Sequence, residues 1–459
     1  MREKLKEFFP SSKADLISIL QKAEVDRAVF YGLLSRVWGV IAGPVTALLI
    51  ATKFSPEVQG YYYTFANLLA LQIFVELGLG LVIVQFASHE WSRLSLSPQG
   101  EITGDPEALS KLSSLAAVAL KWFLIGGLIV VLGLGFGGHL FFSLSPASDV
   151  NWVSPWFLLC ALTGANICLV PIWSLLEGCN QVSSIYFFRF WQGLFASVSI
   201  WVAIYFGANL WVASISTTVT LACAGVFIRR KYWNFLKSLL ASRPTGPRLD
   251  WREDILPMQW RIALSSVSGY FVFSLFTPVL FHYHGPLLAG QFGMTWNIVG
   301  IIGSISNAWI APKAPQFGML IALKNYVVLD TLFWRLTKIV VLITLLLSLC
   351  CWLCIYIINI LHYSIAERFL PVLPTVILLL AQALVTISMP FSTYLRAHKK
   401  EPLLLLSVMS GILTGLSTFI FGKYYAANGA AVGYLAVNLI VIPLVVAVWY
   451  RSRKAWHFQ

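Results

Sequence analysis

Charge is what this chain has least of. Only 11% of its 459 residues are Asp, Glu, Lys or Arg, against about 25% in soluble domains. That scarcity excludes a soluble enzyme, a disordered protein and a coiled-coil or collagen-like fibre. Acidic residues are the scarcer sign, 19 against 32 Lys and Arg, for a net charge of +13. In a soluble protein that excess would suggest nucleic acid. In a chain this apolar, basic loops follow from membrane topology alone, and no nucleic-acid partner is expected. Cysteine occurs seven times, an odd number, always in or beside an apolar run, so no disulfide framework is indicated. The first residues, MREKLKEFFPSSKADLISILQKAEVDR, lack an apolar run ending in a small-residue cleavage site, so no signal peptide is expected to be removed. No G-x-x-x-x-G-K-[ST] motif is present, which excludes P-loop nucleotide hydrolysis.

What fills the chain is apolar: 58% hydrophobic residues and a mean hydropathy of +0.78. A spanning helix needs roughly 20 apolar residues. Twelve such segments can be drawn, at about 29–50, 60–87, 112–137, 153–176, 183–206, 208–228, 255–281, 287–311, 339–361, 369–391, 403–421 and 429–450. The pattern predicts an all-α, polytopic membrane protein of about twelve transmembrane helices. It excludes an outer-membrane barrel, whose short alternating strands read differently. Of the 32 Lys and Arg, 26 fall on one side of this arrangement. Only Lys53, Arg368 and Lys423 fall on the other, and Arg36, Lys121 and Arg261 lie inside spans. The positive-inside rule then puts both termini in the cytoplasm. The outer loops are short, so no external catalytic domain and no cofactor are expected.

The sequence repeats itself. Gly60 to Asn67 and Gly290 to Asn297 both read G-x-aromatic-x-x-x-x-N and open spans 2 and 8; Gln85-Phe86 and Gln316-Phe317 follow at similar distances. The offset is 230 to 231 residues. A second offset, 219, relates Pro171 at the end of span 4 to Pro390 in span 10, and Asn209 in the 5–6 turn to Asn428 in the 11–12 turn. Six is even, so both copies insert in the same sense. The chain therefore divides into a basic cytoplasmic segment (1–28), a first lobe (29–228), a basic cytoplasmic linker with a Pro/Gly break (229–254), a second lobe (255–450) and a cytoplasmic tail (451–459). Two parallel six-helix lobes around a central cavity are a transporter design, with alternating access by rocking.

Phe54-Ser-Pro-Glu-Val-Gln-Gly60-Tyr, a span ending Glu76-Leu-Gly78-Leu-Gly80, then Gln85, together resemble the first helical pair of the Wzx-type polysaccharide flippases. Ala427-Asn428-Gly429-Ala430-Ala431-Val432, opening the last span, is similar as well. These proteins belong to the multidrug/oligosaccharidyl-lipid/polysaccharide exporter superfamily. The resemblance runs from span 1 to span 12. It implies flipping of a polyprenyl-diphosphate-linked oligosaccharide from the cytoplasmic to the outer leaflet of a bacterial inner membrane. Its partners would be that anionic lipid-linked glycan, membrane lipids and other glycan-assembly membrane proteins. Lipid II flippases of the superfamily usually carry two further spans, which this chain lacks.

Ionisable residues inside a span mark functional sites by default. Arg36 lies about seven residues into span 1 and Arg261 about six into span 7, its repeat counterpart. Facing a cavity, both would hold pyrophosphate oxygens with planar forks; alternatively each snorkels to inner headgroups. Glu76 is the deepest charge. It would pair with Arg36, carry a coupling proton or sodium ion, or hold helices together as a neutral hydrogen-bonded acid. Its counterpart in the second half is Asn307. Lys121 reads as a snorkelling side chain. Asn67 with Asn297, and Gln85 with Gln316, recur at matched positions and either glue helices or touch sugar. Pro44, Pro171, Pro278 and Pro390 are expected to bend helices beside the cavity. Cys351-x-x-Cys354 lies in an apolar run and is read as helix core rather than a zinc site. His282-x-His284 reads as headgroup-level histidines, and Asp250, Glu253 and Asp254 as caps of span 7. No metal site is expected. The in-span excess is cationic, three against one, which favours an anionic head group. A drug or cation antiporter would want an acidic cavity, and a sugar polymerase or ligase a long outer loop.

Overall fold

The computed structural model describes residues 27–145, 149–241, 246, 249–310, 313–398 and 402–457. The basic segment through Asp26 and the Pro/Gly break of the linker lie outside these residues. Nine helices are long and apolar enough to cross a membrane, and the bent pair Pro56–Glu76 and Leu79–Trp91, at 44°, makes a tenth crossing. Two of the nine are 55 and 54 residues long, more than twice what a bilayer of about 30 Å needs at about 1.5 Å per residue. Each reverses within: at Gly285 (φ 84, ψ 178) and at Ala426 (φ 54, ψ −139). The described chain therefore makes twelve crossings and is a multi-pass membrane protein.

The first lobe runs α1 (Arg27–Lys53), α2 (Pro56–Leu69), α3 (Leu79–Trp91), α4 (Pro106–Ser143), α5 (Val153–Ile167), α6 (Val170–Gly178), α7 (Val182–Tyr205) and α8 (Trp211–Phe227). The second runs α10 (Leu256–Phe273), α11 (Phe276–Asn307), α12 (Ala314–Ala322), α13 (Tyr326–Ile360), α14 (Val372–Ala397) and α15 (Leu404–His457). The loop between spans 2 and 3 adds a hairpin, β1 (Leu94–Leu96) antiparallel to β2 (Ile102–Gly104). The start of the linker is not an extended tether. It continues span 6 as α9 (Trp233–Ala241), because Tyr232, Phe235, Leu236 and Leu239 repeat at helical spacing and bury against the first lobe. Arg229, Arg230, Lys231 and Lys237 take the exposed face. Ser113 Oγ donates to Leu239 O at 2.7 Å, tying α9 to α4. Asp250 Oδ1 accepts from Glu253 N at 3.4 Å at the entry to span 7.

Lipid offers helices no hydrophobic reason to associate, so close glycine contacts and interhelical polar bonds hold such bundles. The lobes meet at the N-terminal halves of spans 2 and 8. Gln59 Nε2 donates to Gly290 O (2.9 Å), and Tyr63 OH to Met294 Sδ (3.3 Å). Each pair is 231 residues apart, one more than the 230 that aligns Gly60 with Gly290, and those two repeat mates also touch, as residues beside a pseudo-two-fold axis do. A Cβ on Gly60 would collide with Pro286 O, and one on Gly290 would lie 2.9 Å from Gly60 N. Around this seam Tyr61, Phe65, Phe142 and Trp156 of the first lobe share one core with Phe281 and Met294 of the second. The second offset recurs in the backbone. Gly207 (φ 73) and Ala426 (φ 54), 219 apart, turn spans 5 into 6 and 11 into 12 through the left-handed region. Gly60→Val should separate this seam, since backbone and not a flexible side chain blocks it. A fall in the melting midpoint of purified protein, equivalent to about 1–3 kcal/mol, is the expected reading; an unchanged midpoint would mean the seam is not a rigid contact.

At the C-terminal end of the second lobe, the tail of α15 folds over α13 and α14. Arg453 Nε donates to Asp330 Oδ2 (3.1 Å), Tyr394 OH to Asp330 Oδ1 (2.9 Å), and the Nε2 atoms of His398 and His457 lie 3.0 Å apart. Tyr326 stacks on His457 with centroids at 3.8 Å. Burial, then the neighbouring His398, push the His457 imidazole below its ordinary value, with Asp330 opposing and Arg453 adding to the shift. The sign follows. A depressed base adds stability that is present above the ordinary histidine value of about 6.5 and is lost as pH falls below it, because the unfolded tail binds the proton first. Acidification from about pH 7.5 to about pH 5.5 should speed trypsin cleavage at Arg451, Arg453 and Lys454. His457→Phe should remove most of that pH dependence.

Candidate functional site

One face of α1 packs on α7: Trp38 Nε1 donates to Ser197 Oγ (3.3 Å) and Trp201 Nε1 to Thr46 Oγ1 (2.8 Å). The opposite face carries exposed Leu33, Val37, Val40 and Ile41. It approaches α11 at Gly43, where a Cβ would lie 3.0 Å from Ile301 Cδ1. On the side of this contact toward the N-terminal end of α1, the two helices leave a cavity of about 790 Å³. Its walls are mostly apolar. The polar exceptions are Arg36, Ser304 and Asn307, with Trp309 at the edge. Arg36 lies seven residues beyond Gly43, about 10 Å at about 1.5 Å per residue, and its side chain is exposed.

The sequence candidates separate. Arg36 lines this cavity, as does Asn307, the repeat counterpart of Glu76. Arg261 is exposed on α10 with its guanidinium 5.5 Å over the Trp260 ring, and it does not line this cavity. It shares a helix face with Ser265 and Ser268, four and seven residues on. Asn67 Nδ2 donates to Tyr63 O of its own helix (2.8 Å); Asn297 is exposed. Gln85 is exposed and Gln316 half-buried. Lys121 is exposed on α4.

Glu76 sits where span 2 breaks. Leu77 (φ 45) and Gly78 (φ 66) are both left-handed, so the helix stops and restarts. Gly78 is needed there twice over: for its backbone and because a Cβ would strike Ile262 of α10. Breaking a helix in a membrane frees carbonyls that must find donors. Trp122 Nε1 supplies one to Val75 O (3.0 Å) and stacks on Trp251. At the break in span 7, Trp296 Nε1 does the same for Phe273 O (2.9 Å). Glu76 is half-buried beside this junction, and no ion pair joins it to Arg36 among the described residues. Gln59, which no motif singled out, is buried and bonded to both Gly290 O and Arg368 O (3.0 Å). Its signal was its place one residue before the repeated glycine.

A second cavity, about 880 Å³, lies at the opposite end of spans 1 and 2. It is lined by Glu57, Asp149, Asn151, Asn209 and His284, among others. His284 Nε2 lies 2.8 Å from Gly422 O. The two cavities thus differ in sign: a guanidinium on the first, carboxylates on the second.

Neither a protein-family model nor a curated protein matches the chain. Solved structures do. An inward-facing conformation of a multidrug resistance MATE family transporter of the MOP superfamily aligns at TM-score 0.69 and 16% identity, over 94% of this chain and 99% of that one. Lipid II flippase MurJ in an inward closed conformation aligns at 0.61 and 15%, over 91% and 87%. An outward-facing MATE structure of the MOP superfamily aligns at 0.56 and 14%, over 94% and 95%. The likeness is one of fold: twelve transmembrane helices in two lobes.

Proposed function

We propose that this chain, sharing its fold with transporters, flips a polyprenyl-diphosphate-linked oligosaccharide from the cytoplasmic to the outer leaflet of a bacterial cytoplasmic membrane, with both termini inside. One observation carries the reading: the cavity between α1 and α11 has apolar walls and a single guanidinium, Arg36. That combination suits an amphiphile with an anionic head. The apolar tail can lie between exposed Val37, Val40 and Ile41 and the lipid, while the fork of Arg36 takes diphosphate oxygens in pairs. Arg261, Glu76, Asn67, Asn297, Gln85 and Gln316 are the further candidates for cargo contact, and Glu76 for a proton or sodium ion. A drug or cation antiporter is less well served, because no carboxylate lines this cavity among the described residues.

Lipid II is the second reading, favoured by the likeness to MurJ. It has the same head-group chemistry with a different glycan. Deleting the gene and identifying the lipid-linked sugar that accumulates on the cytoplasmic leaflet separates the two. A peptide-free oligosaccharide lipid supports the first reading and a peptide-bearing one the second; no accumulation of either removes both.

A further inference from the structure

A third cavity, about 350 Å³, lies inside the second lobe between α10, α14 and the two halves of α15. Its volume falls within the roughly 300–1,000 Å³ of small-molecule sites. Its lining is rich in hydroxyls: Ser268, Ser388, Ser392 and Ser407, with Asn438 and Arg396. Ser268 and Asn438 are only 6% exposed.

Small polar residues in a membrane bundle ordinarily bring helices together. Ser268 does so on one side: a Cβ on Gly411 would lie 2.9 Å from Ser268 Cβ. Ser388, Ser392 and Ser407 also border the open space, which close packing does not account for. Their hydrogens are already placed. Ser268 Oγ donates to Leu264 O (2.7 Å), Ser388 to Val385 O (2.7 Å), Ser392 to Ser388 O (3.1 Å) and Ser407 to Leu403 O (3.1 Å). A hydroxyl has one hydrogen and two lone pairs, so while these bonds hold, the four oxygens present lone pairs as acceptors. Such a lining calls for a ligand rich in donors. Val272 and Val441 supply apolar wall. Donor-rich edges with apolar faces describe a pyranose ring. Arg261, Ser265 and Ser268 stand on one face of α10, and Ser265 and Arg396 both line the cavity.

We propose that this cavity is the carbohydrate subsite of the transporter, taking one or two sugar units of the cargo's glycan. The inference rests on the flippase reading and deepens it. The test uses purified full-length protein, with farnesyl diphosphate and farnesyl diphosphate carrying a hexose or an N-acetylhexosamine as probes. Binding is followed by tryptophan fluorescence. Wild type should bind a glycosylated probe about tenfold more tightly than bare farnesyl diphosphate, as a few neutral hydrogen bonds allow. The triple variant Ser268→Ala, Ser388→Ala, Ser392→Ala should lose that surplus while keeping its affinity for the bare diphosphate. Ser388→Leu, which fills the space, should do the same, and its unchanged affinity for farnesyl diphosphate reports that it folds. A surplus retained in both variants, or absent from wild type that binds the bare diphosphate, overturns the subsite. Wild type binding neither probe overturns the flippase reading itself.

Discussion

Replacing Arg36 with alanine should cut export of the lipid-linked glycan by about tenfold or more while protein abundance stays near wild type. A hydrogen bond to a charged partner contributes about 1.5–3 kcal/mol, which is about 10- to 150-fold in affinity. The guanidinium stands exposed on a cavity wall, so its loss leaves no buried group unpaired and the fold has little reason to suffer. Arg36→Lys should restore part of the activity: the charge remains and the bidentate fork is lost. Arg261→Ala should act in the same direction, and the double variant should abolish export. The measurement is surface glycan against membrane-protein abundance in cells. Full export by the double variant would show that both side chains only anchor headgroups.

The membrane potential should drive outward flipping, with no nucleotide required. The bacterial cytoplasm is negative, and each net negative charge moved outward gains about 2.3 kcal/mol per 100 mV, about 50-fold in the equilibrium ratio between leaflets. The arginines stay with the protein, so the charge that crosses is the cargo's, less any coupled cation. The second cavity, with Glu57 and Asp149 in place of a guanidinium, would repel a diphosphate arriving there and assist release. If Glu76 carries a proton or sodium ion on the return step, transport should also follow that ion's gradient, and Glu76→Gln should abolish the ion dependence. Reconstituted vesicles with potential and ion gradients imposed separately give the answer. Equal rates and extents of flipping at zero, normal and reversed potential would remove the electrical drive and leave a passive equilibrator.

Much of the architecture is legible in one dimension because bilayer thickness sets a length. Twelve apolar segments, the excess of Lys and Arg on one side and the offsets of 230–231 and 219 residues follow from hydropathy, charge and self-similarity. Each is a local property of the chain. The offsets carried further than expected: Gly60 and Gly290, read only as repeat mates, touch on the axis, since a parallel two-fold must bring some pair of mates together.

What the tertiary structure alone decided is which polar residues share a cavity. Arg36 and Arg261 look equivalent in sequence, yet one lines the space between α1 and α11 and the other stands exposed on α10 over the Trp260 ring. The asymmetry comes from the helix breaks. Span 2 turns at Leu77–Gly78 and seats against Ile262 of α10, while α1 and α11 stay apart below Gly43. The serines of α10, α14 and α15 are scattered over more than a hundred residues and read singly as ordinary membrane-helix residues. Only the packing of three helices around a void gives them a common ligand. Hydropathy fixes how often a chain crosses the bilayer; which faces meet depends on backbone approach at a few glycines and turns, and no one-dimensional pattern contains that distance.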